Sequence, residues 1–89
     1  MVNSIDSLRE GISKIDNDIV DLLVKRFELT DEVGRIKKNN KMQIENKEVE
    51  EKILKRLVQR SGGNVDPQFL VKIYYQIFEE SKRRQRDIR

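Results

Sequence analysis

Cysteine and histidine are both absent from the 89-residue sequence. Their absence excludes disulfide bonds, thiol and imidazole nucleophiles, histidine general bases and the usual structural zinc sites. Any chemistry must therefore come from arginine, lysine, carboxylate, hydroxyl and amide groups. These groups bind and polarise anionic ligands well, but they are poor nucleophiles at neutral pH.

Long hydrophobic runs are also missing, and none approaches the roughly 20 residues that a membrane-spanning helix needs. Met1 leads into polar residues rather than a basic and then apolar stretch, so we expect no signal peptide and a cytosolic protein. The length suits one small domain, and a lone monomer of this size would be only marginally stable.

Charge is unevenly distributed along the chain, whose net charge is +3. Residues 82–89 carry a net charge of +4, so the rest of the chain is close to neutral. We therefore expect a short basic tail on a neutral body. The tail has no interleaved aromatic residue for base stacking, which makes nucleic acid an unlikely partner.

Proline and glycine are scarce, with one and four residues, and strand-like alternation is absent, so the sequence predicts an all-α fold. The first segment predicts one long helix, about residues 6–38, that begins at Ser4 or at Ser7 in a capping box with Glu10. Steps of three and four residues connect the positions on one side of this helix, which are Ile5, Leu8, Ile12, Ile15, Ile19, Leu22, Arg26, Leu29, Val33 and Ile36.

Two shorter helices are predicted after the long one. The second, about 47–60, has Asn46 as its N-cap and Gly62–Gly63 as its stop. The third, about 67–87, follows Asp66 as N-cap, with proline at its first position. A first helix about 50 Å long exceeds the roughly 30 Å diameter of a compact domain of this size. We therefore predict an intertwined homodimer, in which a second copy covers the rest of the apolar seam.

Arg26 occupies a seam position that its neighbours in the series fill with leucine or isoleucine. A buried, unpaired charge is costly, so we expect an anion beside it. An ion pair with an acid of another helix, or a side chain that reaches out to solvent, would also satisfy it. Lys37 lies on the same side about 16 Å further along the axis, so the two cations could bracket a small molecule. By itself, such a lysine is typical of a solvated helix end.

Four further polar residues are candidates for the same site. Arg9 lies about 25 Å from Arg26 along the axis, so only an antiparallel partner could bring it there; a surface salt bridge with Asp6 is the simpler explanation. Glu50 is one of several first-turn acids that suit a helix dipole. Ser81 and Gln85 lie one turn apart on the inward face of the third helix, where a frayed polar end is the simpler explanation.

Together these residues resemble the all-helical class of chorismate mutases, over essentially the whole chain. The resemblance is carried by Leu8-Arg9, Ile12, Ile15-Asp16, Leu22-Leu23, Arg26, Leu29, Val33-Gly34, Lys37, Glu50, Ser81 and Gln85. It implies an entangled dimer of three-helix protomers, each site borrowing an arginine from its partner. It also implies the pericyclic rearrangement of chorismate to prephenate, on the route to phenylalanine and tyrosine, without metal or other cofactor.

The resemblance also implies a role for each candidate residue. Arg26 and the partner's Arg9 would bind the two substrate carboxylates, with support from Ser81. Lys37 and Gln85 would donate to the ether oxygen, and Glu50 would accept from the ring hydroxyl.

Two positions near the start of the second helix depart from the family pattern. Asn46 stands among the substrate-binding positions where an Asp is common, and Val49 stands where an Arg is common. Lys47 or Lys52 are candidates to replace the missing cation. Two other functions stay open: an isochorismate pyruvate lyase on the same scaffold, and a noncatalytic helical module for regulation or binding.

Overall fold

The protein forms three α-helices in a computed structural model that describes residues 3–88. Helix α1 spans Asn3–Asn39, α2 spans Lys47–Ser61 and α3 spans Pro67–Arg86. No strand occurs within the described range. The prediction of an all-α fold with three helices and a long first helix is confirmed.

The ends of α2 follow the local signals in the sequence. Asn46 caps its start, where its side-chain oxygen accepts a hydrogen bond from the Val49 N–H. Gly62 ends the helix in the left-handed conformation, with φ of 59°, and its N–H donates to the carbonyl of Gln59. Few residues other than glycine adopt this conformation readily, which explains why the helix stops there.

The start of α1 differs from the expectation, whereas α3 begins at Pro67 with Asp66 as its N-cap residue, as predicted. Helix α1 already begins at Asn3, so Ser4, Ser7 and Glu10 lie inside it, and the predicted capping box is wrong. Asp66 does precede α3, but its side chain makes no capping hydrogen bond. The fixed φ of Pro67, which lacks an N–H to satisfy, is enough to start this helix.

Helix α3 lies between the other two and is the only one that contacts both. Helix α1, about 55 Å long at 1.5 Å per residue, sets the elongated shape of 60 × 27 × 15 Å. Residues 4–22 of α1 are all exposed, and the helix meets α3 only along its later half. Half of α1 therefore extends beyond the packed part of the protomer.

The buried core is small. Phe78 is the only buried hydrophobic residue in the described range, with Tyr74 and Tyr75 edge-on to its ring at centroid distances of 5.9 and 6.5 Å. The large apolar residues of the α1 seam are exposed instead: Ile5, Leu8, Ile12, Ile15, Ile19, Leu22, Leu29, Val33 and Ile36. Apart from the seam residue Arg26, the residues of α1 that contact α3 lie on a side of the helix rotated by about 100°, which contains Phe27, Asp31 and Gly34.

Candidate anion-binding site

Arg26 is held against α3 by contacts on two sides. Its Nη1 donates to the Ser81 hydroxyl at 3.5 Å. Its guanidinium carbon lies 5.7 Å from the ring centroid of Tyr74 and 5.6 Å from that of Phe78. These distances are in the range of cation–π attraction, so the rings and the hydroxyl position the guanidinium between α1 and α3.

No carboxylate of residues 3–88 forms an ion pair with Arg26. The expected alternative of an ion pair with another helix is therefore wrong within this range. The side chain does not extend freely into solvent either, because the residue is half-buried. Arg26 is thus a positioned, partly desolvated cation, which is the electrostatic requirement for binding an anion.

Ser81 and Gln85 are both buried, at 5% and 8% exposure, so the frayed-end explanation is wrong. Packing against α1 covers this end of α3. The Ser81 hydroxyl donates to the carbonyl of Ile77 at 2.9 Å, which leaves its oxygen to accept from Arg26. The Gln85 amide oxygen is buried without a hydrogen-bond partner in the described structure. Most buried polar atoms have a hydrogen-bond partner, so this unpartnered oxygen calls for an explanation.

Gly34 is buried at the closest approach of α1 to α3. A Cβ atom added there would lie only 2.6 Å from Cγ of Gln85. Because Gly34 has no side chain, the Gln85 side chain has room for its observed position against α1. Sequence reasoning missed this positioning role, although a lone glycine within a long helical pattern is a known sign of close packing.

Lys37 is half-buried, and its ammonium donates to the carbonyl of Ile44 at 2.9 Å. The explanation as a solvated helix-end cation is therefore wrong. The hydrogen bond ties the ammonium to the segment between α1 and α2. A lysine ammonium has three N–H donors, so two stay available for a ligand.

Glu50 lies near the start of α2, where it meets Lys82 of α3. The Lys82 ammonium is 3.2 Å from Glu50, 3.1 Å from Glu45 and 3.0 Å from Glu79. Burial lowers the pKa of Lys82, but hydrogen bonds to the three carboxylates raise that pKa overall above its usual value. The hydrogen bond from Lys82 also lowers the pKa of Glu45. Lys82 was expected in a solvated tail, and that expectation is wrong.

Two other basic residues at this end of α3, Arg83 and Arg84, are also paired within the protomer. Arg84 binds both carboxylate oxygens of Asp31, at 3.1 and 2.8 Å, and the hydrogen bond lowers the pKa of Asp31. Arg83 pairs with Glu80 and Asp87. Within the described residues, the predicted basic tail is mostly the end of α3, where Lys82, Arg83 and Arg84 are paired with carboxylates, and this pairing weakens the case for nucleic acid.

Arg9 and Asn46 are not brought to Arg26. Arg9 is exposed on the free half of α1 and makes no ion pair with Asp6 in the described structure, so that alternative is wrong. Asn46 uses its side-chain oxygen to cap α2. Lys47 and Lys52 form no ion pair with Glu50, and among residues 3–88 Lys82 is the cation that does.

The arrangement is a row of donors carried by α1 and α3, and the acidic cluster surrounds Lys82, the residue that follows Ser81 on α3. Arg26, Lys37, Ser81 and Gln85 supply guanidinium, ammonium, hydroxyl and amide groups. Such a row can hold an anion and stabilise charge that develops on it. The described range contains no group of acidic side chains arranged to hold a metal ion.

The chain is thus a three-helix domain with a positioned cation, Arg26, between α1 and α3. The sequence pattern of the chorismate mutase type II family matches residues 8–86, and the chain therefore belongs to this family. A search of curated proteins and of solved structures finds no match. None of the helices between residues 3 and 88 combines the length and apolar character needed to cross a membrane.

Proposed function

We propose that the protein is a chorismate mutase that converts chorismate to prephenate as a homodimer. Family membership supports the reaction class. The observation that carries the proposal is Arg26, a half-buried cation positioned by two rings and Ser81 without a carboxylate of the described chain beside it. A substrate carboxylate would provide the missing negative charge. We place the reaction in the cytoplasm, in phenylalanine and tyrosine biosynthesis.

The reaction needs positioning and electrostatic stabilisation rather than a nucleophile. One C–O bond breaks and one C–C bond forms within a single molecule, while negative charge grows on the ether oxygen. In the proposed mechanism Arg26 and the partner's Arg9 bind the two carboxylates and hold the flexible substrate in its reactive shape. Lys37 and Gln85 then donate to the ether oxygen, where a preorganised donor stabilises the transition state more than the substrate.

Two remaining residues complete the proposed contacts. Ser81 accepts a hydrogen bond from Arg26 and so supports the binding of the substrate carboxylate that Arg26 contacts. Glu50 accepts a hydrogen bond from the ring hydroxyl, and Asn46 borders the substrate at the start of α2. The side-chain oxygen of Asn46 already accepts the capping hydrogen bond from the Val49 N–H. We therefore expect Asn46 to contribute less to substrate binding than Glu50.

The dimer is proposed from the exposed seam of α1. Monomeric proteins rarely expose an apolar stripe that continues over several helical turns. An antiparallel second copy of α1 would cover the stripe and bring the partner's Arg9 towards the middle of this helix. The site of each protomer would then be completed across the interface.

Substitution of Arg26 tests the central contact. Arg26→Ala should lower kcat/KM for prephenate formation by about a hundredfold or more, because a half-buried, positioned donor to a charged substrate is lost. Arg35→Ala is the matched control, since Arg35 is exposed on the same helix and pairs with Glu32. It should change kcat/KM by less than about threefold. Equal effects of the two substitutions would contradict the role of Arg26.

The same assay separates the alternatives. Release of salicylate and pyruvate from isochorismate, without prephenate from chorismate, would indicate the lyase instead. Lack of turnover of either substrate, together with binding of a regulatory ligand or macromolecule, would indicate a noncatalytic module.

Mixed dimers test the shared site. Arg9→Ala and Arg26→Ala proteins should each be nearly inactive, whereas a mixed dimer contains one site with both arginines intact. Free exchange of subunits should therefore restore about a quarter of the unmodified activity. Absence of recovery, after mass spectrometry has shown that exchange occurred, would contradict a site built from two protomers.

A further inference from the structure

Lys82 forms a link between α3 and α2 that the proposed mechanism does not yet use. Its side chain is buried, and its ammonium contacts three carboxylates at 3.0–3.2 Å. The three partners differ in exposure: the side chains of Glu45 and Glu79 are 49% and 62% exposed, whereas that of Glu50 is 16% exposed. Only the contact with Glu50 is therefore largely shielded from water.

Shielding from water decides which of the three carboxylates is most strongly coupled to Lys82. Exposed ion pairs contribute little, because water and salt screen them and their side chains stay mobile. A pair removed from water is more strongly coupled, and loss of one partner leaves the other charge uncompensated. Among residues 3–88, Glu50 has no other cationic partner. The position of its carboxylate thus depends on Lys82.

We propose that Lys82 is the positioning residue for Glu50. It holds the carboxylate at one place on α2, from which Glu50 accepts the hydroxyl hydrogen bond of the substrate. This inference rests on the proposed function. Lys82 also offsets the negative charge of the three carboxylates, which would otherwise repel a dianionic substrate.

The experiment removes the two exposed acids first. The variant Glu45→Gln/Glu79→Gln leaves Glu50 as the only carboxylate on Lys82, and it should keep the activity of the unmodified chain within about threefold. In this background Lys82→Met should lower kcat by about a hundredfold, as expected for a displaced catalytic group. A loss confined to KM would indicate general charge attraction and would overturn the positioning role.

A second substitution separates positioning from a purely structural role. In the Glu50→Gln background, Lys82→Met should lower kcat by less than about threefold, because the residue that it positions has already lost its charge. Equal losses in both backgrounds would overturn the proposal. Circular dichroism and thermal unfolding show whether each variant folds. If the Met variant unfolds, Lys82→Gln takes its place, and turnover equal to that of its background would overturn the inference.

The two proposals fail in different ways. If the unmodified chain forms prephenate and the Lys82 variants keep full kcat, the inference on Lys82 fails and the proposed function stands. If the unmodified chain forms no prephenate, the proposed function fails and the inference falls with it.

Discussion

Gly34 offers a sharp test of the groove between α1 and α3, because alanine there adds one methyl group at the closest approach of the two helices. The added Cβ would lie 2.6 Å from Cγ and 3.1 Å from Cβ of Gln85, and 3.0 Å from Cδ1 of Ile88. The shortest of these distances is about 0.8 Å below ordinary van der Waals contact. Either Gln85 moves or the helices separate.

Two opposing terms set the effect of Gly34→Ala on stability. Alanine favours the helix by about 1 kcal/mol over glycine. Overpacking at a close contact costs about 1–3 kcal/mol. The free energy of unfolding should therefore change from almost nothing to a loss of about 2 kcal/mol. Turnover should suffer more, by about a hundredfold, because a catalytic group displaced by about 1 Å loses its alignment.

Prephenate formation and thermal unfolding, measured at one protein concentration, separate the two effects. Gly11→Ala is the matched control, since a Cβ at Gly11 meets no atom within 4 Å. It should stabilise the helix by up to about 1 kcal/mol and leave turnover unchanged. If Gly34→Ala kept turnover within about twofold of the unmodified protein, the position of Gln85 would not matter and the reasoning would be refuted.

Three other predictions address the ion pair, the catalytic donor and the apolar stripe. The hydrogen bond with Arg84 lowers the pKa of Asp31 in the folded protein. The pair therefore stabilises the fold at pH values above the pKa of an unfolded-state aspartate, about 4. This stabilisation is lost as the pH falls through the lower pKa of the folded protein. In the Asp31→Asn variant, the melting temperature should therefore decrease less steeply below about pH 4 than in the unmodified protein. An equally steep decrease in both proteins would contradict the role of this ion pair. Lys37→Ala should lower kcat by about a hundredfold with little change in melting temperature, and a loss below about threefold would exclude it from the mechanism. Ile15→Glu should convert the proposed dimer to monomers by light scattering, whereas an unchanged mass would show that the stripe is not the interface.

The fold was predictable because its signals are local. Apolar spacing predicts the long helix, and the residues Asn46 and Gly62 predict the ends of α2, where each acts on its own backbone neighbours. The start of α1 was missed because Ser7 and Glu10 form a capping pattern that a helix interior accommodates at little cost. A local motif predicts a helix start only if the chain before it is not helical.

The site was predictable where one residue breaks a pattern. Arg26 interrupts an apolar series, and that interruption alone predicts an anion nearby. Gly34 and Lys82 were missed because their roles depend on which part of α3 packs against α1 and α2. Lys82 follows Phe78 by four residues, so helical spacing placed it on the inward side. The count of positive charges around it favoured a solvated tail instead.

The order of the three helices in space has a consequence for biosynthesis. Helices α1 and α2 have no contact with each other, and each packs only on α3, the last of the three to be translated. A growing chain can therefore form hydrogen-bonded turns early, but it gains no packing between helices until α3 has left the ribosome. Since α3 does not cover the apolar stripe of α1, that stripe stays uncovered until the proposed second copy binds, a period in which chaperones have time to bind the chain.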